Sequence, residues 1–230
     1  MKVAILYSGG KDSTMALYYA LQQGWDVEVL IAIKPKDTEA YLYHYATVEW
    51  TVLSSESLGI PLVLLKTDKN GPLKEAKELE KIFRRIKIDA VLLGGVGLQK
   101  AQIESVAKTA KKFGIDVIVP HQGMNHYELF KQAIQLGFDI RITQVATDGL
   151  GSEWLGKKVD LDTLNKLRKL SEEYGFHIGG EGGYFDSFVC DGPIFKKKIE
   201  FIDTEKMWDS KTSSGYLQVN NAVLVPKISE

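Results

Sequence analysis

Apolar positions in the first two-thirds of the chain fall into two alternating kinds of run. Short, nearly continuous runs rich in branched residues occupy 3–7, 27–33, 62–65, 90–93, 115–119 and 140–145. A strand buried on both faces reads this way, because neither set of alternate side chains meets water. Between them lie stretches with the helical period. Leu73, Ala76, Leu79, Ile82 and Ile86 recur at spacings of three and four, and so do Ile103, Val106, Ala110 and Phe113. Alternating buried strand and amphipathic helix implies parallel pairing through right-handed crossovers. The expected fold class is therefore α/β, with a doubly wound parallel sheet.

Past about residue 146 the rhythm changes. Leu161, Leu164, Leu167 and Leu170 share one face of a predicted helix over 160–174, which Gly175 ends. Next comes Gly179-Gly180-Glu181-Gly182-Gly183, too glycine-rich for the inside of a helix or strand. The rest breaks into short β-like pieces at 187–190, 198–202 and 216–225. The pattern predicts a main domain over 1–146 and a smaller, substrate-facing α+β domain over 147–230.

Composition changes this picture only at its edges. The 230 residues are 44% hydrophobic and 26% charged, an ordinary globular balance. Twenty-nine basic residues against 30 acidic ones leave a net charge of −1, without the basic excess of most nucleic-acid partners. Cys190 is the one cysteine, so there is neither an internal disulfide nor a Cys-x-x-Cys metal or redox pair. The start, 1–7, is too short an apolar run for a signal peptide. No stretch approaches the ~20 apolar residues of a membrane span. A cytoplasmic location and no membrane partner are expected.

The chemistry concentrates first at Ser8-Gly9-Gly10-Lys11-Asp12-Ser13, between the first predicted strand and a predicted helix over 13–23. The carboxyl end of a parallel strand opens into the crevice where such sheets bind ligands. The start of the next helix offers unpaired amides and partial positive charge, which suit an anion. The glycines admit phosphate oxygens where a Cβ would collide. Ser8 and Ser13 add hydroxyls and Lys11 a cation. Asp12 would repel phosphate unless a divalent cation lay between them, so it is the expected Mg²⁺ ligand. By position after their strands, Ala32, Ile33, Gly94 and Gly95 are expected around the adenosine. The alternative is a plain strand-to-helix turn with Asp12 or Ser13 as its cap.

The hexapeptide lacks the spacing of the common P-loop and resembles the Ser-Gly-Gly-x-Asp-Ser loop of the N-type ATP pyrophosphatases, the PP-loop superfamily. That resemblance implies a Rossmann-like fold of the adenine nucleotide alpha hydrolase type. It also implies that ATP is split to AMP and pyrophosphate while an oxygen nucleophile is adenylated. A second segment, Gly180-Glu181-Gly182-Gly183-Tyr184-Phe185-Asp186-Ser187-Phe188-Val189-Cys190-Asp191-Gly192-Pro193, is similar to a Gly-Glu-Gly-Gly-Glu-Tyr-Glu-Thr-Phe-x-x-Asp-Gly-Pro segment of the diphthine–ammonia ligase family. Tyr184 replaces the family's glutamate, and Ser187 its threonine. His44, Gly94-Gly95-Val96, Thr147-Asp148-Gly149-Leu150 and Trp154-Leu155-Gly156 extend the similarity over most of the chain.

The resemblance implies an ATP-dependent amide-forming ligase. Its acceptor would be diphthine, a modified histidine on translation elongation factor 2, and its nitrogen source ammonia. Lys11, Asp12 and Glu181 are then the expected catalytic residues. His44, Glu181, Gly182, Gly183, Tyr184 and Asp186 would line the acceptor side. Two other readings stay open at this point: a PP-loop enzyme that modifies RNA, and a non-catalytic adenine-nucleotide sensor. No histidine pair has metal-ligand spacing with a carboxylate. His121, His126 and His177 receive no chemical role from the sequence.

Overall fold

The computed structural model describes residues 1–35, 47–67, 76–96 and 100–227. They divide into two compact units, Met1–Ser8 with Asp12–Gly123, and Gly9–Lys11 with Met124–Glu230.

In the first unit, strands β1 (Lys2–Leu6), β2 (Asp26–Pro35), β3 (Leu62–Thr67), β4 (Ala90–Leu93) and β5 (Asp116–Ile118) form a parallel sheet in the order β3-β2-β1-β4-β5. Helices α1 (Lys11–Gln22), α2 (Thr51–Leu58), α3 (Glu80–Phe83) and α4 (Lys100–Lys111) connect them. The inner strands β1, β2 and β4 bury their branched apolar runs, while β3 and β5 at the edges are half-buried. Ala4, Ile31, Val91, Leu79, Val106 and Ala110 pack into one core cluster. β1 is central, and the chain leaves it toward β2 on one side and later returns to β4 on the other. That reversal makes the carboxyl ends of β1 and β4 the switch point of the sheet. The doubly wound, Rossmann-like expectation holds here.

In the second unit, β6 (Asp139–Ala146), β7 (Phe185–Asp191), β8 (Lys197–Asp209) and β9 (Ser214–Pro226) form an antiparallel sheet in the order β7-β6-β9-β8. It carries α5 (His126–Gln135) and α6 (Leu161–Tyr174). The Asn125 side chain accepts from the Glu128 amide to start α5, and Asp160 from the Thr163 amide to start α6. Tyr127 on α5 donates to Asn165 on α6 at 2.8 Å and receives the Arg168 guanidinium over its ring. The three β-like pieces of the sequence grow into β7 and a long β8–β9 hairpin.

One expectation changes. The run at 140–145 looked like a sixth strand of the alternating fold, yet it is β6, paired antiparallel with β7 and β9. As an inner strand it buries Ile140, Ile142, Thr143 and Val145, so its apolar run matches that of a parallel core strand. The compact units change over at Gly123/Met124. Leu73, one member of the first helical pattern, lies outside the described residues. Among the described residues no helix is long and apolar enough to cross a membrane.

Candidate functional site

The Ser8–Ser13 hexapeptide leaves the carboxyl end of central β1 and turns into α1. In the first unit its two ends are tied together. The Ser8 amide donates to Ser13 Oγ at 3.3 Å, and the two serine hydroxyls lie 3.3 Å apart. Tyr7, buried beneath them, donates its amide to the Ile31 carbonyl and receives the Thr14 hydroxyl at 3.4 Å. Asp12 sits in the first turn of α1, where a carboxylate suits the helix's positive end.

Gly94, one step past β4, presses its backbone against that first turn. A Cβ there would lie 2.6 Å from the Asp12 carbonyl carbon and from Ser13 Cα, and nearer still to the Ser13 amide nitrogen. Real side chains do not make such contacts, so only glycine lets the two strand ends converge at the switch point. Gly95 follows with φ 111°, and Val96 is buried. Ala32 and Ile33 lie in β2, buried and paired with Leu64 and Leu65 of β3. Ile33 belongs to the core cluster. His44 lies outside the described residues.

His121, three residues beyond β5, was given no role from the sequence. It is 7% exposed, stands edge-on to Tyr19 of α1 at 6.0 Å, and its Nδ1 is buried with no hydrogen-bond partner among the described residues. Burial lowers its pKa, and the Asp12 charge opposes part of that shift.

The middle of the hexapeptide belongs to the second unit. The Gly9 carbonyl accepts from the Val189 amide at 2.8 Å, and the Lys11 amide donates to Ser187 Oγ at 3.3 Å, so this stretch runs along β7. The Lys11 side chain is only 6% exposed. Its ammonium donates to the Gly179 carbonyl at 2.6 Å and lies over the rings of Phe130 and Phe185, 5.4 and 5.6 Å from their centroids. Nothing in the sequence signals this cage, because its members are drawn from α5, β7 and the glycine-rich segment.

That segment brings more together. Gly180 has φ 76°, and a Cβ on it would run into the Phe185 carbonyl and lie 3.1 Å from the Phe185 ring, so the turn and the cage wall are built on each other. Its amide donates to the His177 carbonyl, and the Gly183 amide to the Gly180 carbonyl. His126 and His177 stack edge to face at 4.1 Å, and Glu181 Oε1 lies 3.9 Å from His126 Nδ1. The sequence singled out Glu181 of this trio and missed both imidazoles, which stand 51 positions apart in the chain numbering. Tyr184 packs on Phe176 and accepts the Ala146 amide at its carbonyl. Asp186 lies in β7 opposite Gln144. Glu181, Gly182, Gly183, Tyr184 and Asp186 thus fall on one turn and the strand it feeds.

Cys190 is buried in β7 beside Arg141, and burial pushes its thiol up to about 12. It stays a thiol at neutral pH and offers no nucleophile. Among the described residues no three His, Cys, Asp or Glu side chains cluster to hold a metal ion.

Two family models match the chain in order. The diphthamide synthase N-terminal domain covers residues 1–117 and the diphthamide synthase C-terminal domain residues 125–225. The interval between them contains the changeover of the compact units. A diphthine–ammonia ligase of Rattus norvegicus is 27% identical over 257 residues, covering 100% of this chain and 94% of that protein. The ligase of the same name from Homo sapiens is 27% identical over 90% of this chain and 85% of its own length. The Saccharomyces cerevisiae protein of that name is 28% identical over 95% of this chain, which spans 37% of it.

Proposed function

The chain belongs to the diphthamide synthase family, and from that premise we propose how it performs a diphthine–ammonia ligase reaction. ATP activates the carboxylate of diphthine on translation elongation factor 2 as an acyl adenylate. Ammonia then displaces AMP to leave the amide, and pyrophosphate has already departed.

One observation carries the nucleotide half of this reading. An oxygen-rich loop leaves the central strand at the switch point of a parallel sheet, and the Gly94 backbone closes on the first turn of its helix. Anionic ligands bind at such points because helix-start amides and the ends of diverging strands converge there. Ser8, Gly9, Gly10, Lys11 and Ser13 would hold the pyrophosphate moiety. Ala32, Ile33, Gly94 and Gly95 would border the adenosine. Asp12 would be the Mg²⁺ ligand, since its carboxylate is the kind of oxygen donor that such a cation takes. When bound, Mg²⁺ would neutralise charge on the departing pyrophosphate. The rest is electrostatic positioning, in which fixed donors stabilise charge as it shifts from the α-phosphate toward the leaving group.

The acceptor side would be Glu181, Gly182, Gly183, Tyr184 and Asp186, with His44 as a further candidate. Diphthine carries a trimethylammonium group, and the Glu181 and Asp186 charges with the Tyr184 ring face suit such a cation. A cytoplasmic setting accords with a translation factor as substrate.

Incubation with Mg-ATP and ammonium, with and without unamidated elongation factor 2, tests the whole reading by assay of AMP. AMP should form only when the factor is present, in step with its amidation. Release of ADP, or AMP formation indifferent to the factor, would refute it.

A further inference from the structure

The Lys11 cage has a chemistry that its present occupant does not exhaust. Its three walls are the Gly179 carbonyl, 2.6 Å from the ammonium, and the faces of Phe130 and Phe185 at 5.4 and 5.6 Å. Both rings are core residues, 2% and 3% exposed. A cation held over desolvated ring faces gains more than one at the surface. What these walls recognise is a tetrahedral N–H cation, and a lysine ammonium differs from free ammonium by one N–H replaced by carbon.

Titratable side chains pack against the same glycine that supplies the carbonyl wall. Gly179, whose carbonyl receives the ammonium, is packed between two imidazoles: a Cβ on it would lie 2.6 Å from His126 Nδ1 and 3.1 Å from His177 Cε1. Its own amide donates to His177 Nδ1 at 3.2 Å. Glu181 Oε1 is 3.9 Å from His126 Nδ1. Ammonium cannot attack an acyl carbon until it loses a proton, so an ammonium site needs such neighbours.

We propose that the cage of Phe130, Phe185 and the Gly179 carbonyl is the binding site of the ammonium substrate, and that Lys11 fills it until nucleotide binds. This deepens the ligase reading above and rests on it. Phosphate oxygens carry the negative charge that the Gly179 carbonyl lacks, so they attract the Lys11 ammonium more strongly. Lys11 leaves the cage for them, and ammonium enters. Ammonium gives one proton to the His126–Glu181 pair. The lone pair so freed forms the C–N bond to the acyl carbon while the C–O bond to AMP breaks, and AMP keeps that electron pair. The second proton passes to water, so acyl adenylate and ammonium become amide, AMP and two protons. The arrangement orders the reaction, because ammonium has no seat before ATP is loaded.

The test uses the full chain with Mg-ATP and a diphthine-bearing protein substrate, varying ammonium. Pyrophosphate–ATP exchange without ammonium reports the adenylation half-reaction separately. Phe130→Leu and Phe185→Leu should each raise the ammonium KM about 5-fold, in keeping with loss of one ring face, while exchange persists. Potassium, a cation of nearly ammonium's size, should raise the apparent ammonium KM of the unaltered protein without lowering kcat. That second measurement needs no variant to fold. Exchange with an unmoved ammonium KM in both variants, or no competition by potassium, overturns the cage and leaves the ligase reading standing. Absence of exchange in the unaltered protein overturns the ligase reading, and the cage with it.

Discussion

The two units solve the same problem, placing polar groups where chemistry can use them, by different means. The first works through backbone: a switch point in a parallel sheet, a helix start, and a glycine that lets two strand ends converge. Its side chains mostly fill the core. The second works through side chains gathered from far along the chain. Lys11 meets Gly179 across 168 positions and Ser187 across 176. In the proposed reading, a nucleotide's phosphates are the same in every substrate, so one local turn with its amides, hydroxyls and Asp12 would serve them. In the same reading, an ammonium and a modified histidine would need specific partners, and side chains would supply that specificity.

If this division is right, damage to the first unit's charge should be the costliest. Asp12→Ala should cut AMP formation at least about 100-fold, the scale on which removing a charge-stabilising group acts. Because Asp12 is half-buried at a helix start and not in the core cluster, its melting transition should stay cooperative. Steady-state AMP release checks the first statement and thermal unfolding the second. An unchanged rate would strip Asp12 of its metal role and leave the first unit a scaffold only.

Gly94→Ala probes the backbone itself and should have a middling effect. The added methyl meets main-chain atoms of Asp12 and Ser13, which cannot rotate away. Forcing them apart should cost about 1–3 kcal/mol of stability by urea unfolding, and should raise the ATP KM more than the ammonium KM. Equal rises in both would mean that the strand ends serve both substrates, and the division between units would fail.

How much of this was legible beforehand follows the same line. Continuous apolar runs reported β1 to β5, and the 3.6-residue period the helix at Leu161–Tyr174, because burial dictates residue type there. They could not report which partner a buried strand takes, so β6 passed for a parallel strand when its burial between β7 and β9 gives the same apolar run. Ser8, Asp12 and Ser13 could be proposed from the sequence because loop chemistry is local. Lys11 was legible as a cation. Its lodging over Phe130 and Phe185 was not, since two buried phenylalanines read only as core. His126 and His177 look like isolated histidines until the Gly179–Gly183 turn brings Glu181 to them. Proximity across long separations has no periodic signature, and that is where the second unit keeps its chemistry.

The smallest expected effect concerns how the second unit holds its local structure. The Asp160 side chain accepts from the Thr163 amide at 2.7 Å to start α6, and that backbone bond, first among its causes, lowers its pKa below the ordinary 3.8. A carboxylate whose folded pKa is lowered lends stability in full above its unfolded value, and that contribution fades as pH falls through the folded one. Asp160→Ala should therefore lower Tm by about 2–4 °C at pH 7, and the gap to the unaltered protein should narrow as pH falls below 3.8. Asp160→Asn keeps an acceptor oxygen without a titrating group, so its deficit should be smaller at pH 7 and should vanish in acid as the unaltered carboxylate is protonated. Ligase activity should follow Tm alone, because α6 carries none of the cage. If Asp160→Ala instead shifted the ammonium KM, the helix scaffold and the cage of the second unit would be coupled, and its chemistry could not be assigned to side-chain contacts by themselves.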